Sequence, residues 1–275
     1  MSIVNDKMPA ALACHHRALR DGEEAKHYGS DTVYEATGQL DAGFRTFLEK
    51  DLLEPSWKID GTCCLIKDGK LYRRYDTKYK KMPDGAIPGE MDEQGRMRIC
   101  WLLVNGSHAP EDSCHLSALA QDQKSFWSLS FVDGKAEGVQ VPLDDTAPPA
   151  TYELVGEMVQ CNHYGLPTMH DTPECSVTLL LPGRGKKHRG EMVPREISRH
   201  YLVRHGDYVI HNFPRAELLT TSDPVGFLRN LIISNKVEGI VFRHLEDPTI
   251  YYKVNRGHIG VHITKEEELN LCPSI

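Results

Sequence analysis

The spacing of apolar and polar residues along the chain predicts helices at several places. Apolar residues recur at helical spacing after Asp41, a favourable N-cap, so this helix is expected to bury Phe44 and Phe47. Asp223, which is followed by a proline, predicts the N-cap of another helix. Residues 9–20 have an apolar face followed by a glycine, and they predict a helix near the N-terminus.

Short apolar runs bounded by turn residues predict strands in the rest of the chain. Asp68-Gly69 stands between two apolar pairs, and an Asp-Gly pair is the strongest short-range signal of a β-hairpin. Residues 22–40 and 82–112 are polar or rich in glycine and proline, and they predict loops. Further strands, with one short helix near 113–120, are expected at 126–132, 138–141, 151–156, 201–203, 208–210, 238–244 and 250–255.

A turn at residues 246–249 joins the last two predicted strands. If this turn closes a hairpin, residue 242 faces residue 253 and residue 240 faces residue 255. Directly opposed residues share a face of a sheet. One side of the hairpin is therefore expected to carry Glu238, Ile240, Lys253 and Asn255.

Composition limits the class of protein. The length of 275 residues allows one large domain or two modest ones. There is no run of 18 apolar residues and no basic stretch followed by an apolar one at the N-terminus, so we expect neither a membrane span nor a secretory signal. Eight cysteines without a Cys-x-x-Cys pair favour free thiols in a reducing compartment, the cytoplasm or alternatively the nucleus.

Positive charge is concentrated locally, although the whole chain has a net charge of −7. Residues 70–81 contain six lysines and arginines against Asp76 alone, a local charge of +5. Residues 183–199 contain six basic residues against two acids, a local charge of +4. Solvated edges and loops show such patterns too, but for the first segment we prefer a strand that contacts phosphate groups.

A Lys-x-Asp-Gly pattern at residues 58–61 is the main candidate for chemistry. A free lysine amine has a pKa of about 10.4, so at neutral pH it is protonated and cannot attack phosphorus. Burial, neighbouring cations or a bound metal lower such a pKa and release the nucleophile. Gly61 allows close approach of the backbone to a ligand. Alone, the pattern is also typical of a surface turn.

Four later segments follow this motif in the order found in the covalent nucleotidyltransferases. Together with residues 58–61, they resemble the active-site motifs of DNA ligases, RNA ligases and mRNA capping enzymes, which link a nucleotide to lysine through a phosphoramidate bond. The segments and their key residues are 71–76 with Arg74, 152–156 with Glu153, 238–242 with Glu238, and 253–256 with Lys253.

Residues 68–76, 85–88 and 200–206 resemble one subgroup, the small ATP-dependent RNA ligases that seal 5′-phosphate to 3′-hydroxyl ends. The resemblance runs from about residue 44 to about residue 260. It implies an α+β nucleotidyltransferase domain of two antiparallel sheets with flanking helices.

This domain is expected over residues 41–275, after an N-terminal helical and loop extension over residues 1–40. Relative to compact family members, a basic insertion is expected at about residues 166–199. Only about twenty residues follow Lys253, so we expect no OB-fold domain.

The resemblance implies a three-step reaction. Lys58 would form a lysyl-AMP intermediate with ATP, the AMP would pass to an RNA 5′-phosphate, and a 3′-hydroxyl would displace it. The implied cofactors are ATP and Mg²⁺ or Mn²⁺, and the implied partner is RNA with those ends. No membrane or protein partner is implied.

The resemblance also assigns roles to individual residues. The expected catalytic residues are Lys58, Asp60 and Lys253. The expected nucleotide-binding residues are Trp57, Lys58, Gly61, Arg74, Glu153, Ile240 and Lys253, of which Ile240 would pack against adenine. Glu153 and Glu238 are the expected metal ligands. The expected RNA-binding residues are Arg73, Arg74, Lys78, Arg184, Lys186, Lys187 and Arg189.

Several alternatives remain at this point. Glu157 competes with Glu153 for the third-motif role, although Glu153 gives the better match. Asn255 stands where the family has a second lysine, and Arg256 is a candidate to supply that charge. A zinc site at Cys161, His163, His170 and Cys175 has a spacing that fits no common structural site. The alternative functions are a GTP-using capping-type transferase and a non-catalytic RNA-end-binding protein.

Overall fold

The computed structural model describes residues 8–18, 32–59, 61–77, 81–89, 91, 95, 97–106, 112–120, 122–132, 135–156, 159, 176–182, 192–235 and 237–259. Over these residues the protein has a mixed α+β fold, with four helices and several sheets. No helix among them is long and apolar enough to cross a membrane. The chain divides into two compact units, which are described separately.

The strands are β1 (Leu12–Ala18), β2 (Thr32–Leu40), β3 (Leu53–Lys58), β4 (Thr62–Lys67), β5 (Lys70–Asp76), β6 (Ile87–Pro88), β7 (Ile99–Leu103), β8 (Ser125–Val132), β9 (Lys135–Pro142), β10 (Ala150–Val155), β11 (Ser176–Pro182), β12 (Met192–Ser198), β13 (Tyr201–Arg204), β14 (Gly239–His244) and β15 (Tyr251–Asn255). The helices are α1 (Ala42–Glu49), α2 (Ser113–Ser117), α3 (Arg215–Thr220) and α4 (Pro224–Ser234).

The first unit comprises residues 1–6, 60–162 and 166–207. Its centre is an eight-stranded sheet with the strand order β6-β7-β5-β4-β10-β13-β8-β9. Neighbouring strands pair antiparallel, except that β13 pairs parallel with β8. Strands β11 and β12 form a separate antiparallel pair. One face of the large sheet is a dry core that includes Cys64, Leu154 and Leu202, each fully buried.

The second unit comprises residues 7–59, 163–165 and 208–275. A three-stranded antiparallel sheet of the order β15-β14-β3 packs its apolar face in a core shared with α1, α3 and α4. Phe44 of α1 meets Phe242 of β14 edge-on, with 4.8 Å between ring centroids. Strands β1 and β2 pair with each other in the same unit. The opposite face of this small sheet carries Ser56, Val241 and Lys253.

The helix starts predicted at Asp41 and Asp223 and the hairpin predicted at Asp68-Gly69 are confirmed. The Asp41 carboxylate accepts a hydrogen bond from the Phe44 N–H at 3.0 Å, and Asp223 accepts one from the Gly226 N–H at 2.8 Å. Strands β4 and β5 are joined by Asp68 and Gly69 with φ values of 50° and 64°. Positive φ at both positions is what a two-residue hairpin turn demands. These features form locally, which is why the sequence predicts them.

The predicted helix over residues 9–20 is wrong, because β1 occupies most of it. The predicted loop over residues 22–40 is wrong where β2 lies. Hydrogen bonds from distant strands override the local apolar spacing here: β1 pairs with β2, and the Ala11 N–H donates to the Lys253 carbonyl at 2.8 Å. The boundary proposed at residue 40 stays a prediction.

The predicted loop over residues 82–112 is also wrong in part, because it contains the buried strand β7. Trp101 and Leu102 point to opposite faces of the sheet, and their exposures are 2% and 3%. A strand that is buried on both faces shows no alternation of apolar and polar residues, so its sequence lacks the usual signal. Strand β12 lies within the basic insertion expected at about residues 166–199. At 208–210 there is one bridge, between Ser56 and Val209, instead of a strand.

Candidate active site

An ion pair joins Lys58 and Glu238 in the second unit. Lys58 is the last residue of β3, and Glu238 directly precedes β14. Because Lys58 pairs with Gly239 across these strands, the neighbouring Glu238 is brought beside it. The Lys58 Nζ donates a hydrogen bond to Glu238 Oε2, and the two side chains are 24% and 20% exposed. Two predicted site residues that are 180 positions apart are therefore in contact.

Lys253 lies on the same face of this sheet as Lys58. Lys253 opposes Val241, which opposes Ser56 of β3, whereas Asn255 opposes Gly239 and so stands in the row of Lys58. Directly opposed residues, and those two positions along a strand, share a face. The backbone of Lys253 is fixed further, because its N–H donates to the Pro9 carbonyl at 2.8 Å. Lys58 and Lys253 thus share one face of the sheet, and the Glu238 carboxylate meets Lys58 from the residue just before β14.

The predicted register of β14 and β15 is wrong by one residue. Ile240 opposes Val254 rather than Asn255, and Phe242 opposes Tyr252 rather than Lys253. Ile240 is fully buried in the core of the unit, so it does not share a face with Lys253. The apolar alternation of both strands decides the register, because a slip of one residue would expose this core-facing set. That alternation was the signal that could have corrected the prediction.

Trp57 follows the same rule. It opposes Ile240 across β3 and β14 and packs, half-buried, against the apolar core of the unit. Its side chain therefore lies on the sheet face opposite to Lys58. The structure separates Trp57 and Ile240, two predicted nucleotide contacts, from the face that carries both lysines.

Asn255 and Arg256 stabilise the end of the hairpin. Asn255 Oδ1 accepts a hydrogen bond from the His258 N–H at 3.1 Å. Arg256 is 7% exposed, and its Nε donates to the Val237 carbonyl at 3.1 Å while its N–H donates to the Glu238 carbonyl. Arg256 thus anchors the backbone that carries Glu238. Its neighbour Asn255, and not Arg256, stands in the row of Lys58.

Glu153 is the centre of a second polar cluster, in the first unit. It lies on β10 between Cys63 of β4 and Val203 of β13. His205 follows β13, with its Nε2 at 2.8 Å from Glu153 Oε2 and its Nδ1 at 2.9 Å from Thr151 Oγ1. The Glu153 side chain is only 13% exposed. The sequence did not assign a chemical role to Cys63 or His205, although period-two spacing puts His205 on the face of Val203.

Gly61 is required for the packing of this cluster. A Cβ at Gly61 would lie 2.3 Å from the Leu154 carbonyl oxygen and 2.8 Å from Glu153 Cγ. Real Cβ atoms do not approach other atoms so closely, so any side chain here would displace β10. The close approach that the glycine allows is to β10. The approach to a ligand that we predicted for Gly61 stays a prediction.

Arg73 and Arg74 point to opposite faces of the large sheet. Tyr72 opposes Leu65 and Leu65 opposes Thr151, so Arg74, two residues beyond Tyr72, shares the face of Glu153. Arg74 is exposed and its Nε donates to Asp76 at 3.2 Å.

Arg73 is held in a buried ion pair. Its side chain is 12% exposed, and its Nε donates at 3.0 Å to Asp112, which is fully buried. Asp112 also accepts a hydrogen bond from the Gly106 N–H at 3.0 Å. Arg73 therefore has an internal partner, and its predicted RNA contact stays a prediction.

The sequence matches no family model and no curated protein. The remaining predicted residues lie outside the described residues: Asp60, Lys78, Glu157, Cys161, His163, His170, Cys175, Arg184, Lys186, Lys187 and Arg189.

Proposed function

We propose that the protein is an ATP-dependent RNA ligase that works through a covalent lysyl-AMP intermediate on Lys58, in a nucleotidyltransferase-type domain. The observation that supports this most directly is the Lys58–Glu238 pair, with Lys253 on the same sheet face. A nucleophilic amine, a carboxylate and a second cation are the groups that phosphoryl transfer to a lysine needs. The contact of Lys58 with Glu238 adds spatial support to two motifs that are separate in the sequence.

In the first proposed step, the Lys58 ammonium gives up one proton to solvent, and its Nζ then attacks the α-phosphorus of ATP. A nitrogen–phosphorus bond forms, the bond from the α-phosphorus to the bridging oxygen breaks, and pyrophosphate leaves with the electron pair. The amine proton passes to solvent. Glu238 holds the amine at the strand end through its hydrogen bond, and Lys253 offsets the growing negative charge of the α-phosphate. Each group acts mainly by position and charge.

In the second step, an oxygen of the RNA 5′-phosphate attacks the phosphorus of lysyl-AMP. The nitrogen–phosphorus bond breaks, and Lys58 leaves with a proton taken from solvent. In the third step, an RNA 3′-hydroxyl attacks the 5′-phosphorus of the adenylylated RNA. AMP leaves, and the proton of the hydroxyl passes to solvent. Arg74 and Glu153, which the resemblance gives as nucleotide contacts, share one face of the large sheet in the first unit. Arg74 is also exposed, as a contact of a phosphate must be.

A magnesium ion fits one of the two predicted carboxylates better than the other. Mg²⁺ prefers oxygen ligands and is usually held by one or two carboxylates together with substrate phosphates. Glu238 offers such oxygens beside Lys58. Glu153 is hydrogen-bonded to His205 and has Cys63 beside it, and nitrogen and sulfur donors suit Mg²⁺ poorly. We therefore propose Glu238 as the residue that holds the ion, which would offset charge on the phosphates.

The test is covalent labelling with ATP or GTP that carries the label at the α-phosphate, in the presence of Mg²⁺. We expect ATP to label the protein and GTP not to. Lys58→Arg should abolish the label, because arginine keeps the charge but does not lose its proton. Lys50→Arg, at an exposed lysine of the same unit, is the matched control and should label normally.

Other outcomes would contradict the proposal. Labelling by GTP alone would indicate a capping-type transferase. No label with either nucleotide would favour a non-catalytic RNA-end-binding protein. Labelling of the Lys58→Arg variant at the wild-type level would exclude Lys58 as the nucleophile.

A further inference from the structure

Cys63, Glu153 and His205 bring three different ligand atoms to one place in the first unit. One ligand atom of each, a thiol sulfur, a carboxylate oxygen and an imidazole nitrogen, lies within 4.8 Å of the other two. The three residues come from, or directly follow, the neighbouring strands β4, β10 and β13. All three side chains are half-buried, so an ion can reach the cluster from solvent.

We propose that Cys63, Glu153 and His205 bind a zinc ion, with the fourth coordination position open to water. Sulfur, nitrogen and oxygen donors are the set that Zn²⁺ uses in proteins, and three protein ligands with one open position are typical of its non-structural sites. Mg²⁺ and Ca²⁺ select oxygen ligands instead.

Charge also favours this ion. The thiolate of Cys63, the carboxylate of Glu153 and a neutral imidazole carry two negative charges, which Zn²⁺ cancels. A neutral site of this kind lowers the cost of burying the carboxylate, which is 13% exposed. Cys64 is not available for the site, since it points into the opposite core and burial raises the pKa of its thiol well above the ordinary value.

Thr151 supports the tautomer that zinc needs. Without metal, the hydrogen bond between His205 Nε2 and Glu153 is satisfied when Nε2 carries the proton and Nδ1 accepts one from Thr151 Oγ1. When Nε2 binds zinc, the proton moves to Nδ1, which then donates to the same Thr151 oxygen. A threonine hydroxyl both donates and accepts, so this partner is kept in both states.

The strands hold these ligands in place. Gly61 packs its backbone against Glu153, and the His205 N–H donates to the Thr151 carbonyl at 3.1 Å. His205 is followed by Gly206 with a φ of 97°, a left-handed turn that ends the strand. On binding, the Cys63 thiol loses one proton to solvent, and the imidazole keeps its single proton.

The test is a titration of the full chain with Zn²⁺ against a chromophoric chelator, without nucleotide and with excess Mg²⁺. We expect the wild type to bind one zinc ion per chain, and this binding to depend on Cys63. Affinity should fall by more than about 100-fold in Cys63→Ser and in His205→Gln, because loss of a ligand exceeds the roughly 10–100-fold cost of losing an outer partner. Thr151→Val should show that smaller loss. Cys14→Ser, at another half-buried cysteine, is the control and should bind as wild type.

Two further measurements make the result independent of variant folding. Co²⁺ in place of zinc should give a thiolate charge-transfer absorption in the wild type, and Zn²⁺ should slow alkylation of Cys63 but not of Cys14. The proposal is overturned if Cys63→Ser binds zinc like the wild type, or if zinc leaves Cys63 alkylation unchanged. Because no nucleotide is used, these outcomes are separate from the ligase test.

Discussion

Lys58 ends a strand with its amine against the carboxylate of Glu238. A β-strand fixes the direction of its last side chain, and the partner strand fixes Glu238 through the pairing of Lys58 with Gly239. A nucleophile must be held where an incoming phosphate can reach it. The remaining exposure of Lys58, 24%, leaves its amine accessible from one side.

Removing the charge of Glu238 should slow the first step without unfolding the protein. Glu238→Gln keeps the size and the hydrogen-bonding oxygen but loses the negative charge. One electrostatic contact of this kind commonly contributes about 10²–10³-fold in rate. We expect a loss of that size in the single-turnover rate of adenylylation. Glu246→Gln, an exposed glutamate in the following turn, is the control and should be normal. A rate for Glu238→Gln close to that of wild type would remove Glu238 from the mechanism.

Part of the candidate site was predictable from single residues, and part was not. Lys58, Glu238, Lys253 and Glu153 follow from motifs whose residue types match the chemistry. Cys63 and His205 were missed as partners of Glu153, because their contact depends on which strands become neighbours in the sheet. No local spacing in the sequence encodes that neighbourhood.

At the scale of elements, the buried Arg73–Asp112 pair joins three pieces of the first unit. Arg73 lies on β5, Asp112 directly precedes α2, and Asp112 also accepts from Gly106 after β7. The exposed Arg74–Asp76 pair has the same chemistry without the burial: its side chains are 40% and 62% exposed. Removal of the acid would leave an arginine charge in a buried environment at the first pair and in an exposed one at the second.

This difference gives a matched prediction. Asp112→Ala leaves the guanidinium of Arg73 with one fewer partner in a buried place, and should lower the free energy of unfolding by about 3–5 kcal/mol. Asp76→Ala at the exposed pair should lower it by less than about 1 kcal/mol. Urea denaturation of both variants is the measurement. Equal effects would mean that Asp112 does not stabilise the unit through its charge.

The elements that sequence predicts well are those with local causes. The caps at Asp41 and Asp223 and the turn at Asp68 are satisfied within a few residues. Strand β1 and the register of β14 with β15 depend on partners far along the chain, and both were predicted incorrectly. Burial on both faces removed the alternation that would have identified β7.

At the scale of the whole molecule, each compact unit carries one polar cluster. The second unit has the Lys58–Glu238 pair, and the first has the Glu153 cluster. We propose covalent catalysis for the Lys58–Glu238 pair and zinc binding for the Glu153 cluster, and each proposal can be tested without the other. The mixed α+β fold is what the sequence analysis expected, while the family assignment stays a proposal.

The central claim is that AMP becomes attached to Lys58, and the most direct test is to locate that bond by mass spectrometry. The protein would be incubated with ATP and Mg²⁺, digested near neutral pH, and the peptides sequenced in the spectrometer. We predict a peptide with one AMP group on Lys58, which disappears when RNA with a 5′-phosphate end is added. An adduct on a different residue, or no adduct on any peptide, would contradict the account.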